Sequence, residues 1–234
     1  MNTAQWCALS EIDTKFDRLG VAIKSVGPNQ RHIGIVYRLR NARPRIVHLA
    51  WHYQLLDEEC SKQDGYIWSE SYLDDVNKQL IARFVADVGA NCASVIPYGV
   101  RSERTVFDQN AQFVSQPVGY GMTCATFVLR IFEQLGYPLL QESTWPLRTE
   151  DAHWLYKVVI PALRDPTAKV DPGHVNAMEN SAQSPRFRPE EVAAAVPSEQ
   201  APLGFDQAAA LARELIDLIK DCRLFDQMNA SLPQ

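Results

Sequence analysis

The sequence predicts an α+β domain: a small antiparallel sheet packed on a core helix that opens at a cysteine, with further helices around it. Three observations predict it. Two β-rich runs, 31–39 and 45–51, flank a short polar loop, the pattern of a hairpin. In 119–136, Cys124, Phe127, Val128, Ile131, Phe132 and Leu135 recur at the helical period, with Thr123 as N-cap and Gly121 and Gly136 bracketing the run. Finally, 234 residues with 46% hydrophobic content give room for one domain with a real core plus an extension.

Taken in order, residues 10–19 read as a short helix with Ile12, Phe16 and Leu19 inward, ended by Gly20, and 21–26 as a strand before the turn at Gly27-Pro28-Asn29. A hairpin centred near Arg40 sets His32 opposite His48, so that both imidazoles share one face. After a polar stretch at 57–64, Ser71 reads as the cap of a long helix whose apolar face is Leu73, Val76, Leu80, Phe84 and Val88, stopped at Gly89. Residues 93–98 read as a strand and 99–118 as an irregular connection. Beyond it, 149–160 is a helix ending before Pro161, with Trp154, Leu155 and Val158 inward. The expected organisation is a catalytic domain over 1–165, a proline-rich linker or belt over 166–204 with one short helix at 189–195, and a C-terminal amphipathic helix and tail over 205–234. The stripe of that last helix is Leu211, Leu215, Leu218, Ile219 and Cys222; it docks on its own domain by default, with a protein partner through 205–225 as the other use of that face.

Composition narrows the function. A net charge of −5 without a basic run argues against nucleic acid. Five cysteines without CxxC spacing form neither a disulfide framework nor a zinc site and suit a reducing compartment. The first residues lack the charged start and apolar core of a signal peptide, and no apolar run reaches the length of a membrane span. The expected location is the cytoplasm, unless a dedicated secretion system exports the protein. No cofactor is expected. His48 and His52 stand four apart, but on a stretch that reads as strand and without the glutamate of a zinc-protease motif, so no metal is expected either.

A cysteine in the first turn of a helix meets unpaired backbone N–H groups and the positive end of the dipole, both of which favour thiolate, the nucleophilic form. A histidine on a neighbouring strand can take its proton. A free cysteine on an apolar face is otherwise a small core residue. Cys92, which follows a helix C-terminus, reads as inert, and His153 and His174 read as surface residues. Tyr120, four residues before Cys124, and Tyr98 are candidates for the oxyanion or the cavity wall.

The runs His32-Ile-Gly-Ile-Val-Tyr37 and Val47-His-Leu49, followed by Cys124-Ala-Thr-Phe-Val128, resemble the motifs of the permuted papain-like proteins of the NlpC superfamily. This branch holds the YiiX-type hydrolases and the relatives of lecithin–retinol acyltransferase, and in it histidine precedes cysteine in the chain. The resemblance covers 30–51 and 119–136, and it departs from the acyltransferases in lacking their acidic or asparagine neighbours of the cysteine. It implies a papain-like, circularly permuted NlpC-type fold, with Cys124 as nucleophile, His32 as base and His48 as the residue that orients it. It also implies a cysteine hydrolase acting through a thioester on an amide or ester, a peptidoglycan-type amide or an acyl substrate. The alternatives are a thiol acyltransferase and an inactive papain-like binding module.

Overall fold

The computed structural model describes residues 5–60, 65–180 and 184–230, with side chains as far as residue 220. Six strands form one antiparallel sheet: β1 (Cys7–Ala8), β2 (Leu19–Gly27), β3 (Gln30–Tyr37), β4 (Arg45–Trp51), β5 (Gln54–Glu59) and β6 (Ile67–Glu70), in the order β1-β6-β2-β3-β4-β5. The helices are α1 (Ile12–Lys15), α2 (Asp75–Asn91), α3 (Cys124–Gln134), α4 (Thr149–Trp154), α5 (Ile160–Arg164), α6 (Pro172–Glu179), α7 (Pro189–Ala195) and α8 (Phe205–Ala230).

The strand alternation sorts side chains between two cores. Ile33, Ile35, Tyr37, Val47 and Leu49 face the main core, shared with α2, α3 and α7. Ala22, Val36, Ile46 and Trp68 turn to the other face, where Ile12 and Phe16 cover them. Gly20 lies inside β2 and does not end a helix. A Cβ there would sit 2.2 Å from the Ser69 carbonyl oxygen, so the close pairing of β2 with β6 needs glycine.

Helix α3 is a central helix, not one with a single apolar face: every residue from Ala125 to Phe132 is buried. Arg130 tolerates that position because Glu133 and Glu142 both pair with it and Ser102 accepts from its Nε at 3.0 Å.

Several boundaries differ from expectation, each for a local reason. The cap of α2 is Asp74, whose carboxylate accepts the Val76 and Asn77 N–H groups at 3.0 Å, so Ser71 lies outside the helix. This cap sets the helix phase so that Ile81, Ala82, Val85, Val88 and Gly89 face inward, leaving Val76 and Leu80 exposed. Gly89 therefore does not stop the helix but packs against Asp57 and Val47. Residues 93–98 form no strand: a turn at 93–95 leads to an isolated bridge of Tyr98 to Met122, and the Ala93 and Ile96 carbonyls accept the Leu55 and Tyr53 N–H groups at 3.0 and 2.9 Å. Pro161 does not end a helix: a π-helical stretch, Leu155–Val159, carries the chain from α4 into α5, and Val158 stays exposed.

The segment expected as a linker or belt supplies α6 and α7, and every residue of α7 is buried, against α3, β2, β3 and α8. On α8 the buried residues are Ala208, Ala212, Leu215 and Ile219; Leu211 and Leu218, expected in the stripe, face solvent. Cys222 lies outside the described side chains.

Candidate active site

Cys124 is placed by a reciprocal cap. Thr123 Oγ1 accepts the Thr126 N–H at 3.2 Å, and Thr126 Oγ1 accepts the Thr123 N–H at 2.7 Å, which fixes the entry angle of the chain into α3. The approach to the cap is equally constrained: a Cβ on Gly121 would sit 2.2 Å from the Pro97 carbonyl oxygen. The thiol faces a cavity of about 180 Å³ that His32, Trp51, Tyr98, Trp154 and Arg186 also line. Three backbone N–H groups approach the sulfur: those of Ile33, Ala125 and Cys124 itself.

The Ile33 contact sets Cys124 against β3 on the face that Ile33 and Ile35 share with α3, whereas the ring of His32, the adjacent residue, lies with Gly34, Val36 and His48 on the alternate face. The paired stretch of β3 and β4 ends at Ile35 and Val47. Beyond that point the N–H of Ile33 is turned to the Cys124 sulfur, so α3 reaches β3 at the strand's edge, one residue from His32.

The hairpin register differs by two residues from the one expected. One step past the last pair, Ile35 with Val47, Gly34 faces the His48 side chain, and His32 lies one diagonal step away on the same face. A shift of two preserves the face, so the imidazoles still meet: His32 Nε2 and His48 Nδ1 are 2.8 Å apart, with the rings edge to face. Gly34 makes this possible. A Cβ on it would lie 2.8 Å from His48 Cβ and 2.8 Å from Ile46 Cγ1, in the space the His48 side chain occupies. Gly34→Ala is therefore expected to cost about 1–3 kcal/mol by overpacking and to displace His48 from His32. Denaturant unfolding with imidazole NMR shifts checks this; an unchanged His48 resonance would show the glycine to be dispensable.

His48 continues the chain outward, its Nε2 3.3 Å from Glu58 Oε2 on β5. A carboxylate only accepts, so His48 Nε2 carries the proton there. In the uncharged pair His48 Nδ1 is then an acceptor, His32 Nε2–H donates to it, and the lone pair of His32 is left on Nδ1. This assignment follows from the hydrogen-bond network. Among the described residues Nδ1 of His32 has no hydrogen-bond partner, and no hydrogen bond joins the thiol to an imidazole.

The electrostatics overturn one expectation. Burial pushes the Cys124 thiol up to about 11; the N–H groups of Ile33, Ala125 and Cys124 and the charge of Arg186 oppose this but do not outweigh it. Burial, then the neighbouring His48 and Lys24, bring His32 down to about 3. At rest the thiol and the His32 imidazole are thus both neutral, and the helix start does not by itself yield a thiolate.

Arg186, which the sequence reading missed, is a cation whose charge favours the thiolate of Cys124. Its guanidinium lies 3.4 Å above the Trp154 ring and 3.3 Å from Asp151 Oδ1. Asp151 also accepts from Arg148 at 2.6 Å and Arg188 at 3.0 Å, while Glu191 pairs with Arg148 and accepts the Trp145 indole N–H at 3.1 Å. This buried network pins the start of α7, and with it Arg186, to the mouth of the cavity.

Tyr98 lies at the cavity, its hydroxyl held protonated by burial and by the nearby Cys124. Tyr120 does not line it; its ring lies under the Arg101 guanidinium at 4.8 Å. His174 is buried, contrary to expectation: its Nε2 is 2.8 Å from the Tyr98 carbonyl oxygen and its Nδ1 accepts the Gly119 N–H at 3.3 Å. His52 Nδ1 accepts the Tyr98 N–H at 3.2 Å, and its ring meets that of His174. His153 is exposed, and Cys92 is buried with its thiol donating to the Ala111 carbonyl. Among the described residues no cluster of histidine, cysteine and carboxylate could hold a metal ion, and no helix is long and apolar enough to cross a membrane.

Two buried imidazoles predict acid sensitivity. Burial lowers His52 to about 4 and His32 to about 3, whereas an unfolded histidine titrates near 6.5. Between these values the unfolded chain binds more protons, so stability is full above pH 6.5 and falls as pH drops toward 4. Unfolding curves from pH 7.5 to 4.5 should show this loss, with a shallower slope in His52→Gln; equal slopes would contradict it.

No family model matches the chain, and neither a curated protein nor a solved structure matches it.

Proposed function

We propose that the protein is a cysteine hydrolase of the permuted papain-like type, which forms an acyl-thioester on Cys124 from an amide or ester. The observation that carries this reading is a thiol in the first turn of α3 at a cavity that His32 also lines, with His32 bonded to a second histidine. In this reading the His32 ring turns past the end of the β3–β4 pairing to reach the sulfur, His32 Nδ1 takes the thiol proton as the sulfur attacks the carbonyl, and the proton passes to the leaving group. The Cys124 N–H, with Tyr98 beside it, offers donors to the oxyanion. His48 and Glu58 fix the ring of His32 and stabilise the imidazolium that forms.

Because the resting thiol is neutral, proton transfer accompanies attack. Entry of a carbonyl oxygen beside the N–H groups supplies the stabilisation that the thiol's own surroundings do not. Water then hydrolyses the thioester; another acceptor in its place gives acyl transfer. The expected substrate is a peptide-type amide or an acyl ester, and the expected setting is the cytoplasm or a compartment reached by dedicated secretion.

Intact-mass measurement after incubation with acyl-peptide and lipid donors tests this. A donor-dependent adduct on Cys124, absent from Cys124→Ser, is the expected outcome. The second reading, a binding module on the same scaffold, is favoured by the burial that raises the thiol to about 11. Retention of wild-type activity in Cys124→Ser would move the assignment to that reading.

A further inference from the structure

The cavity at Cys124 opens into a larger groove of about 800 Å³, with Gln30, Arg31, Trp154, Val158, Arg186 and Pro189 lining both. The groove is basic on an acidic chain. Arg31, Arg148, Arg186, Arg188, Arg213 and Lys220 line it against Glu150, Asp151, Glu190 and Glu191, although the whole protein carries −5.

The cations divide into two kinds. Arg148 is saturated by Asp151 and Glu191, and Arg188 pairs with Asp151. Arg186 has only the longest contact to that shared carboxylate, at 3.3 Å, and its guanidinium is largely buried over Trp154. Arg31 has no ion pair among the described residues, and its Nε is buried without a hydrogen-bond partner. A buried guanidinium nitrogen left unsatisfied is costly unless a ligand completes it.

We propose that Arg31 and Arg186 form an anion subsite where the groove meets the thiol cavity, and that it receives a carboxylate or phosphate group carried on the acyl donor. This deepens the proposed function and rests on it. Arg31 lies next to His32 on β3 and Arg186 faces the same cavity from the start of α7, so an anionic group held between them sets the donor's carbonyl toward the sulfur. The planar fork of arginine suits both anions, and Trp154 holds the Arg186 guanidinium flat for that contact.

Three p-nitrophenyl esters of equal chain length, ending in a carboxylate, a phosphonate or a methyl ester, test the subsite by their single-turnover acylation rates. The readout is the ratio of anionic to neutral donor, which cancels any change in thiol reactivity when Arg186 is altered. Wild type should prefer at least one anionic donor by about tenfold or more, the usual scale of a charge-assisted contact, and the two anionic arms identify which group fits. The ratio should fall toward one in Arg31→Gln and in Arg186→Gln; Arg31→Gln breaks no ion pair and guards against a folding defect in the other variant. Equal rates in wild type, or a preference kept in both variants, would overturn the subsite. If no donor acylates Cys124, the proposed function fails separately. Calorimetric titration of Cys124→Ala with glutarate and with inorganic phosphate then decides the subsite: saturable binding lost in Arg31→Gln supports it, and no binding refutes it.

Discussion

Cys124→Ser is expected to fold and to lose acyl transfer almost completely. The volume change is small and the main cost is a hydroxyl with poor partners, about 1–3 kcal/mol. Catalysis should fall by about 10³-fold or more, because serine is far less acidic than the thiol it replaces and His32 is a weak base. The raised thiol pKa sharpens this expectation: the site has little capacity to generate even a thiolate before substrate enters. Thermal melting together with burst kinetics on an activated ester checks both halves. A variant that melts like the wild type and shows no burst is the predicted result; a retained burst would make Cys124 a packing residue.

The largest expected effect on the fold lies away from the thiol, at Asp151. This carboxylate is buried at 7% exposure and accepts from Arg148, Arg186 and Arg188. Removing it leaves three guanidinium groups sharing Glu191 and the surrounding acids, and breaking a buried pair in this way costs about 3–5 kcal/mol. For a chain of this size the melting temperature should drop by roughly 6–20 °C. Asp151→Asn should lose less, since the amide oxygen can still accept. A melting temperature for Asp151→Ala within about two degrees of wild type would show the network to be worth no more than surface pairs.

The sequence carried more of the site's chemistry than of its surroundings. β3 and β4 were legible because both are apolar β-rich runs, and the meeting of His32 and His48 survived a two-residue error in register because the period of a strand is two. The cysteine helix was legible from its cap and its period. β5 was not: it is an edge strand whose outer half is Asp57-Glu58-Glu59, and polarity there reads as loop. Glu58, which holds His48, was missed with it. Arg186 was illegible for a different reason. Nothing in its local sequence marks it, and its place is set by Asp151 and Trp154, more than thirty residues earlier. The stripe on α8 misled because periodicity named Leu211 and Leu218, whereas small residues, Ala208 and Ala212, let the helix lie close to α7.

The pairing of His32 with Cys124 is the central claim, and the single-turnover acylation rate of His32→Ala tests it most directly. With an activated ester at neutral pH, the variant should acylate Cys124 about 10²–10⁴-fold more slowly than wild type, the usual contribution of a positioned base. Combining it with Cys124→Ser should add little beyond either single change, because the two residues act as a unit. Cys124 acylation at the wild-type rate in His32→Ala would contradict the account, leaving the thiol to react without His32 as its base.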